Sequence, residues 1–144
     1  MPGPSIIASA NAAICAGAST VITATQSGGN GYLWSPATGL SATNIANPTA
    51  SPTATTTYTV STSNGTCTAT ATVTVTVNPI PSVTVVAPTS CSGAAVTVSA
   101  TVTPSGGTYL WSNGQTTPTI NVSPSSNTTY SVTYTANNCS SSGS

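Results

Sequence analysis

The 144-residue chain contains no Lys, Arg, Asp, Glu or His. It also lacks Phe and carries only two Trp, five Tyr and one Met. These absences close whole classes of function. General acid–base chemistry near neutral pH draws on His, Glu, Asp or Lys, and a Ser or Thr nucleophile here would have no base. Carboxylate sites for calcium or magnesium cannot be built, which leaves only carbonyls and hydroxyls as ligands. The chain therefore reads as a non-enzyme with no cofactor and no metal. Without cations it has no attraction to nucleic-acid phosphates or to anionic membrane surfaces. No apolar run approaches the ~20 residues of a membrane helix, so no membrane insertion is expected. The opening MPGPSII has neither the basic region nor the apolar core of a signal peptide. Zero charge also removes colloidal repulsion and the Lys residues that commonly shield sheet edges, so self-association is expected.

What is present is dominated by Thr, Ser, Ala and Val in alternation. The plainest stretch is Cys67 to Val77, CTATATVTVTV, with Thr68, Thr70, Thr72, Thr74 and Thr76 on one parity and Cys, Ala and Val on the other. A period of two over eleven residues specifies a β-strand with one dry and one wet face. β-branched residues on both faces favour the same backbone. Strong strand periodicity and the absence of charge both argue against a disordered chain. The class expected is all-β.

The sequence repeats itself. Cys15-Ala-Gly-Ala matches Cys91-Ser-Gly-Ala, and Tyr32-Leu33-Trp34-Ser35 matches Tyr109-Leu110-Trp111-Ser112. Thr56-Thr57-Tyr58-Thr59-Val60 matches Thr128-Thr129-Tyr130-Ser131-Val132, and Cys67 matches Cys139. Such self-similarity marks tandem modules. The expected division is a first β-sandwich over residues 1–77, a stiff proline linker over 78–81, and a second sandwich over 82–144. In the first repeat, strands are expected over residues 5–10, 20–25, 32–35, 57–63 and 67–77, with a turn over 11–19 and edge strands or loops over the proline-rich 36–56. Asn64-Gly65 signals a hairpin. In the second repeat, Val83 and Val85, then Val96 to Val102, residues 109–112, Ile120 with Val122, and residues 129–135 mark the strands. After Cys139 only SSSGS remains. The second repeat is thus expected to lack its last strand, either by truncation or because a neighbouring molecule supplies one by β-strand addition.

Four cysteines allow three pairings, and the repeat selects Cys15 with Cys67 and Cys91 with Cys139. In the chain-entropy model each such bridge stabilises by ~4 kcal/mol. Zinc is a poor alternative without CxxC spacing or His; free thiols in a reducing compartment are the other. Disulfides imply an oxidising, extracellular setting. Trp34, Trp111, Tyr58 and Tyr130 are read as core aromatics, the Trp packed on the disulfide. The rival reading places Trp34 with Tyr32, and Trp111 with Tyr109, on a sugar-stacking platform. The Thr68–Thr76 ladder is an exposed strand face, with ice recognition and assembly as the functional readings. The Gly28-Gly29 and Gly106-Gly107 pairs are turn glycines, since no helix and no Lys follow. Asn-x-Ser/Thr sequons at Asn64, Asn121, Asn127 and Asn138 arise by chance in so Asn- and Thr-rich a chain; dense Ser and Thr could carry O-linked sugars.

Tyr32-Leu33-Trp34-Ser35-Pro36, Ala46-Asn47-Pro48-Thr49-Ala50-Ser51-Pro52, Thr57-Tyr58-Thr59-Val60 and Cys67 to Pro79 together resemble the Ig-like and PKD-like repeats of large secreted bacterial surface proteins. Adhesins of the Bacteroidota type, including gliding-associated ones, are similar. The resemblance covers nearly all of the first repeat, and the second up to Cys139. It implies two tandem Ig-like β-sandwiches used as spacer or adhesive modules in long arrays. The chain departs from such repeats in having no charge and in its short second repeat. The function expected is a structural or assembly module of an extracellular or cell-surface fibre or stalk, self-associating or joined to neighbouring repeats. The alternative is an adhesin-type module that binds a glycan or another surface.

Overall fold

Alternating β-branched residues favour extended backbone, and the described residues, 3–144 of this computed structural model, form fourteen strands and no helix. Met1 and Pro2, which open the MPGPSII stretch, lie outside the described residues. The chain divides into two units, residues 1–78 and 79–144.

The first unit holds β1 (Ser5–Ala8), β2 (Ala12–Cys15), β3 (Thr20–Val21), β4 (Ala24–Ser27), β5 (Leu33–Ser35), β6 (Thr49–Ala50), β7 (Thr56–Ser63) and β8 (Thr68–Asn78). Its main sheet has the order β2-β8-β7-β5. β7 and β8 pair antiparallel over eight residues, from Thr56 against Val75 to Ser63 against Thr68. β2 lies parallel to the last four residues of β8, Ala12–Cys15 against Val75–Asn78. β1 pairs with β4, and β3 with β6. Ile22 N and Ala24 N donate to Pro48 O and Ala46 O, which binds residues 20–25 to one neighbour although β3 and β4 are separate. The core is Ile14, Ile22, Ala24, Trp34, Ala50, Tyr58, Val60, Val73 and Val75. β2 falls within the 11–19 segment expected as a turn. Its four residues are short and pair in parallel, so no hairpin signal announces them.

The second unit holds β9 (Ser82–Val86), β10 (Val96–Thr103), β11 (Thr108–Trp111), β12 (Thr119–Val122), β13 (Val132–Ala136) and β14 (Cys139–Gly143). They form two three-stranded sheets, β12-β10-β9 and β11-β13-β14. Val98, Trp111, Ile120 and Val132 are the buried core.

β14 corrects one expectation. The second repeat does not lose its last strand altogether; Ser140 to Gly143 follow Cys139 as strand and pair with β13 over five residues. The turn explains how. Asn137 and Asn138 make a two-residue loop with φ of 50° and 61°, the left-handed pair that a tight hairpin needs and that Asn tolerates. A serine run has no apolar alternation, so the pattern hid this strand. β14 has five residues where β8 has eleven.

The paired glycines divide their work. Gly28 and Gly106 take left-handed backbone, with φ of +72° and +95°. Gly29 and Gly107 supply room: a Cβ on Gly107 would lie 2.7 Å from Tyr134 Cζ, and one on Gly29 would strike the Thr62 hydroxyl. Neither pair has the surroundings of a phosphate loop.

Candidate assembly site

The cysteines do not pair within the repeats. Cys15 and Cys139 are disulfide-bonded, whereas Cys67 and Cys91 are free, exposed thiols. The expected Cys15–Cys67 and Cys91–Cys139 bridges are therefore overturned, and the first unit contains the reason. Cys15 stands in register with Asn78 at the end of β8, while Cys67 immediately precedes Thr68 at its start. Eleven residues of strand separate the two positions by ~36 Å at ~3.3 Å per residue, and a disulfide needs Cα atoms within ~7 Å. Equivalence in the repeat says which cysteines correspond; it does not bring them together. Trp34 accordingly packs among Ile, Ala, Val and Tyr side chains rather than on a disulfide. Native protein is expected to give two reactive thiols per chain in a disulfide-exchange titration, and four after unfolding and reduction. A native count of zero would restore the in-repeat pairing.

The threonine ladder belongs to a strand already in use. Thr68, Thr70, Thr72 and Thr76 are exposed and Thr74 is half-buried. The Thr57 and Thr74 hydroxyls, directly opposite across β7 and β8, hydrogen-bond at 2.9 Å. Asn11 Oδ1 accepts from Thr74 N at 2.8 Å. Val73 and Val75, on the other face, are fully buried. β8 is held by β7 along most of its length and by β2 at its end, so these threonines form a sheet face and not an unpaired assembly strand.

Trp34 and Trp111 are each 2% exposed. Their indole N–H groups donate to Ile45 O at 2.9 Å and Thr117 O at 2.8 Å, as buried indoles must. Tyr32 and Tyr109, half-buried, share the inward face. The residue between each Tyr and Trp points out instead, Leu33 at 60% and Leu110 at 58% exposure. Neither Tyr–Trp pair offers a flat sugar platform. Tyr58 is fully buried and donates to Thr38 O at 2.9 Å. Burial pushes its phenol above the ordinary value, against a smaller lowering by a hydrogen bond with Thr56.

Tyr130 departs from its counterpart: it is only half-buried. The second unit buries another aromatic besides Trp111, Tyr134, which the matched motifs do not include. It is fully buried, donates to Pro104 O at 2.9 Å and accepts from Gly107 N at 2.6 Å. Its ring centroid lies 4.9 Å from that of Tyr109. The alternation Val132-Thr133-Tyr134 carried that signal.

Beside Tyr130 the second unit opens into a groove of about 370 Å³. Pro88 and Thr89 line one side, Thr128 and Tyr130 another, and Val96, Val98 and Val122 are among its apolar lining. All these residues lie within the second unit, and with no ionisable side chain but Cys and Tyr in the sequence, the lining is uncharged.

No family model and no curated protein sequence matches the chain. Solved structures do. Over 99% of its length the chain matches 23% of a structure of the N-terminal eight Ig domains of Down syndrome cell adhesion molecule, with 12% identity and a TM-score of 0.74. It matches 64% of an I-band fragment of titin at 12% identity and TM-score 0.61. It also matches 47% of a structure of immunoglobulin domains 1–4 of Sidekick-1, at 15% identity and TM-score 0.56. The fold is immunoglobulin-like. In each case the chain spans less than two thirds of the matched structure's length, and at these identities the likeness concerns the fold.

Proposed function

We propose that the chain is a structural assembly module of an extracellular or cell-surface fibre or stalk, of the kind carried by bacterial surface adhesins, and that it joins to other copies of itself. The observation that carries this reading is the state of the cysteines. Cys15 and Cys91 hold one position of the repeat, and Cys67 and Cys139 the other. One of each kind is disulfide-bonded, and one of each kind is free and exposed. A Cys91 thiol of one molecule and a Cys67 thiol of the next are the same two kinds again. Their union releases two electrons and two protons to an oxidant such as dioxygen and forms one S–S bond. Disulfides persist in oxidising compartments, which supports the extracellular placement. The uncharged surface adds the second support, since nothing in it opposes contact between copies.

Electron microscopy with and without reductant, beside non-reducing electrophoresis, tests the reading. Air-oxidised protein is expected to form ordered linear polymers and a ladder of covalent multimers. Cys67→Ser and Cys91→Ser should each stop the ladder at dimers or below. An equimolar mixture of the two should give heterodimers in excess of either homodimer. Monomers only, or amorphous aggregate without a ladder, would overturn it.

A further inference from the structure

We infer that Asn64 is a site of self-modification, where the chain converts its own side-chain amide to a carboxylate. The inference goes beyond the assembly reading and does not depend on it. The sequence has three Asn-Gly pairs, Asn30-Gly31, Asn64-Gly65 and Asn113-Gly114. The reaction favours such a pair because the attacking group is the backbone nitrogen of the following residue, and glycine adds no Cβ to hinder it. All three Asn are exposed. All three glycines take left-handed backbone, with φ of +103°, +90° and +83°, and a Cβ on any of them would meet nothing within 4 Å. Sequence and local space do not tell the pairs apart. Their hydrogen bonds do.

Asn64 opens the loop of residues 64–67 that joins β7 to β8. Its Oδ1 accepts from Thr66 N at 3.1 Å and from Cys67 N at 2.9 Å. Two backbone donors thus point at the oxygen on which negative charge grows when Cγ is attacked, the arrangement of an oxyanion hole. The attacking nitrogen is served as well. Gly65 N donates to Ser63 Oγ at 3.1 Å, and Ser63 Oγ donates in turn to Cys67 O at 3.1 Å. A hydroxyl both accepts and donates, so the exposed Ser63 can take the Gly65 proton and release its own. The other two pairs lack these parts. Gly114 N donates to Trp111 O at 2.8 Å, a carbonyl with no proton to pass on, and Asn113 Oδ1 accepts one bond, from Gln115 N at 3.1 Å. Asn30 has its backbone N–H on Ser63 O at 2.8 Å, and among the described residues no hydrogen bond reaches its side chain.

The step balances without any oxidant or reductant. Gly65 N bonds to Asn64 Cγ, the Cγ–Nδ2 bond breaks, and ammonia leaves with the proton given up by Gly65 N. Water then opens the five-membered imide. Opening at one carbonyl gives Asp at position 64; opening at the other routes the main chain through the side-chain carbon as isoaspartate. Either product puts a carboxylate on a chain that has no acidic side chain, in the same loop as the exposed Cys67 thiol.

The test incubates the whole chain at mildly alkaline pH, folded and, in parallel, in urea. Without Lys or Arg the chain gives trypsin nothing to cut, so chymotryptic fragments are sequenced by mass spectrometry for Asp and isoaspartate. Anion exchange separates the modified chains, which alone carry an acidic side chain. In the folded protein Asn64 is expected to convert about tenfold faster than Asn30 or Asn113, a modest factor beside what positioned donors and proton acceptors supply in a closed site. In urea the three rates should converge. Ser63→Ala should slow conversion at Asn64 by about threefold or more and leave Asn113 unchanged. Equal rates at the three positions in the folded chain, or a faster Asn64 in urea than in the folded chain, overturns the inference. So does an undiminished Asn64 rate in Ser63→Ala whose circular dichroism matches the parent.

Discussion

Replacing Trp34 with Ala is expected to destabilise the first unit by about 3–5 kcal/mol, the range for deleting a large buried aromatic. Trp34 is 2% exposed and packs within the cluster of Tyr58, Val60, Val73 and Val75. Its removal leaves a cavity that β5, only three residues long, is too short to collapse into. It also leaves Ile45 O without the indole donor that reaches it at 2.9 Å, a further cost for a partly buried acceptor. Trp34→Phe should recover most of the packing and none of that hydrogen bond, giving an intermediate value. The chain has one Trp per unit, so the measurement is direct. In Trp34→Ala the remaining fluorescence reports Trp111 alone, and its urea transition should barely move. Exchange at β7 and β8 amides should accelerate to match the lost stability. A shift of less than about 1 kcal/mol would mean that Trp34 is not the centre of that core.

Val75→Asp should turn a fold indifferent to pH into one that prefers acid. The parent sequence has no Asp, Glu or His, so between about pH 4.5 and 7 only the chain termini titrate appreciably and stability should be flat. Val75 is fully buried, opposite Thr56 on one side and Ala12 on the other. An Asp there has no cation to pair with anywhere in the sequence. Desolvation raises the pKa of such a carboxyl by several units. The folded pKa then exceeds the unfolded value, so the native state binds the extra proton. Stability is retained below about pH 3.9 and lost as pH rises through and above it, by about 4 kcal/mol for a three-unit shift. The first unit is expected to hold together at pH 3 and to unfold, or nearly so, at pH 7. Val75→Asn supplies the comparison: destabilised by its buried amide, but equally so at both values. Circular dichroism through denaturant at pH 3, 5 and 7 decides it, and equal stability of Val75→Asp at pH 3 and 7 would place position 75 in solvent. At the alkaline end the parent itself should weaken. The Tyr58 phenol is raised above 10.0 by burial, so its stability is present below about pH 10 and falls as pH climbs through that value.

Much of the architecture could be read in advance from local pattern. The alternation from Cys67 to Val77 sets strand and face together, because successive side chains leave a strand on opposite sides. Tyr32-Leu33-Trp34 shows the same logic at three residues, with Leu33 exposed between a half-buried and a buried neighbour. Other elements escaped because their signal is not local. β2 pairs in parallel with a strand about sixty residues away, and β14 is a serine run that becomes a strand only because Asn137-Asn138 folds it back on β13. Tyr130 was matched to Tyr58 by sequence, yet Tyr58 is fully buried and Tyr130 only half-buried, a difference of tertiary surroundings that the shared motif does not carry.

The sequence by itself determined an all-β chain, its internal repeat and the exclusion of charge-dependent chemistry, since these follow from residue type and spacing alone. Only the tertiary structure decided which cysteines remain free, that the serine run pairs as β14 and that a groove opens beside Tyr130. Those are facts of distance, and a repeat establishes correspondence between positions without establishing their proximity. Eleven residues of extended β8 suffice to set Cys15 and Cys67 at opposite ends of the same sheet.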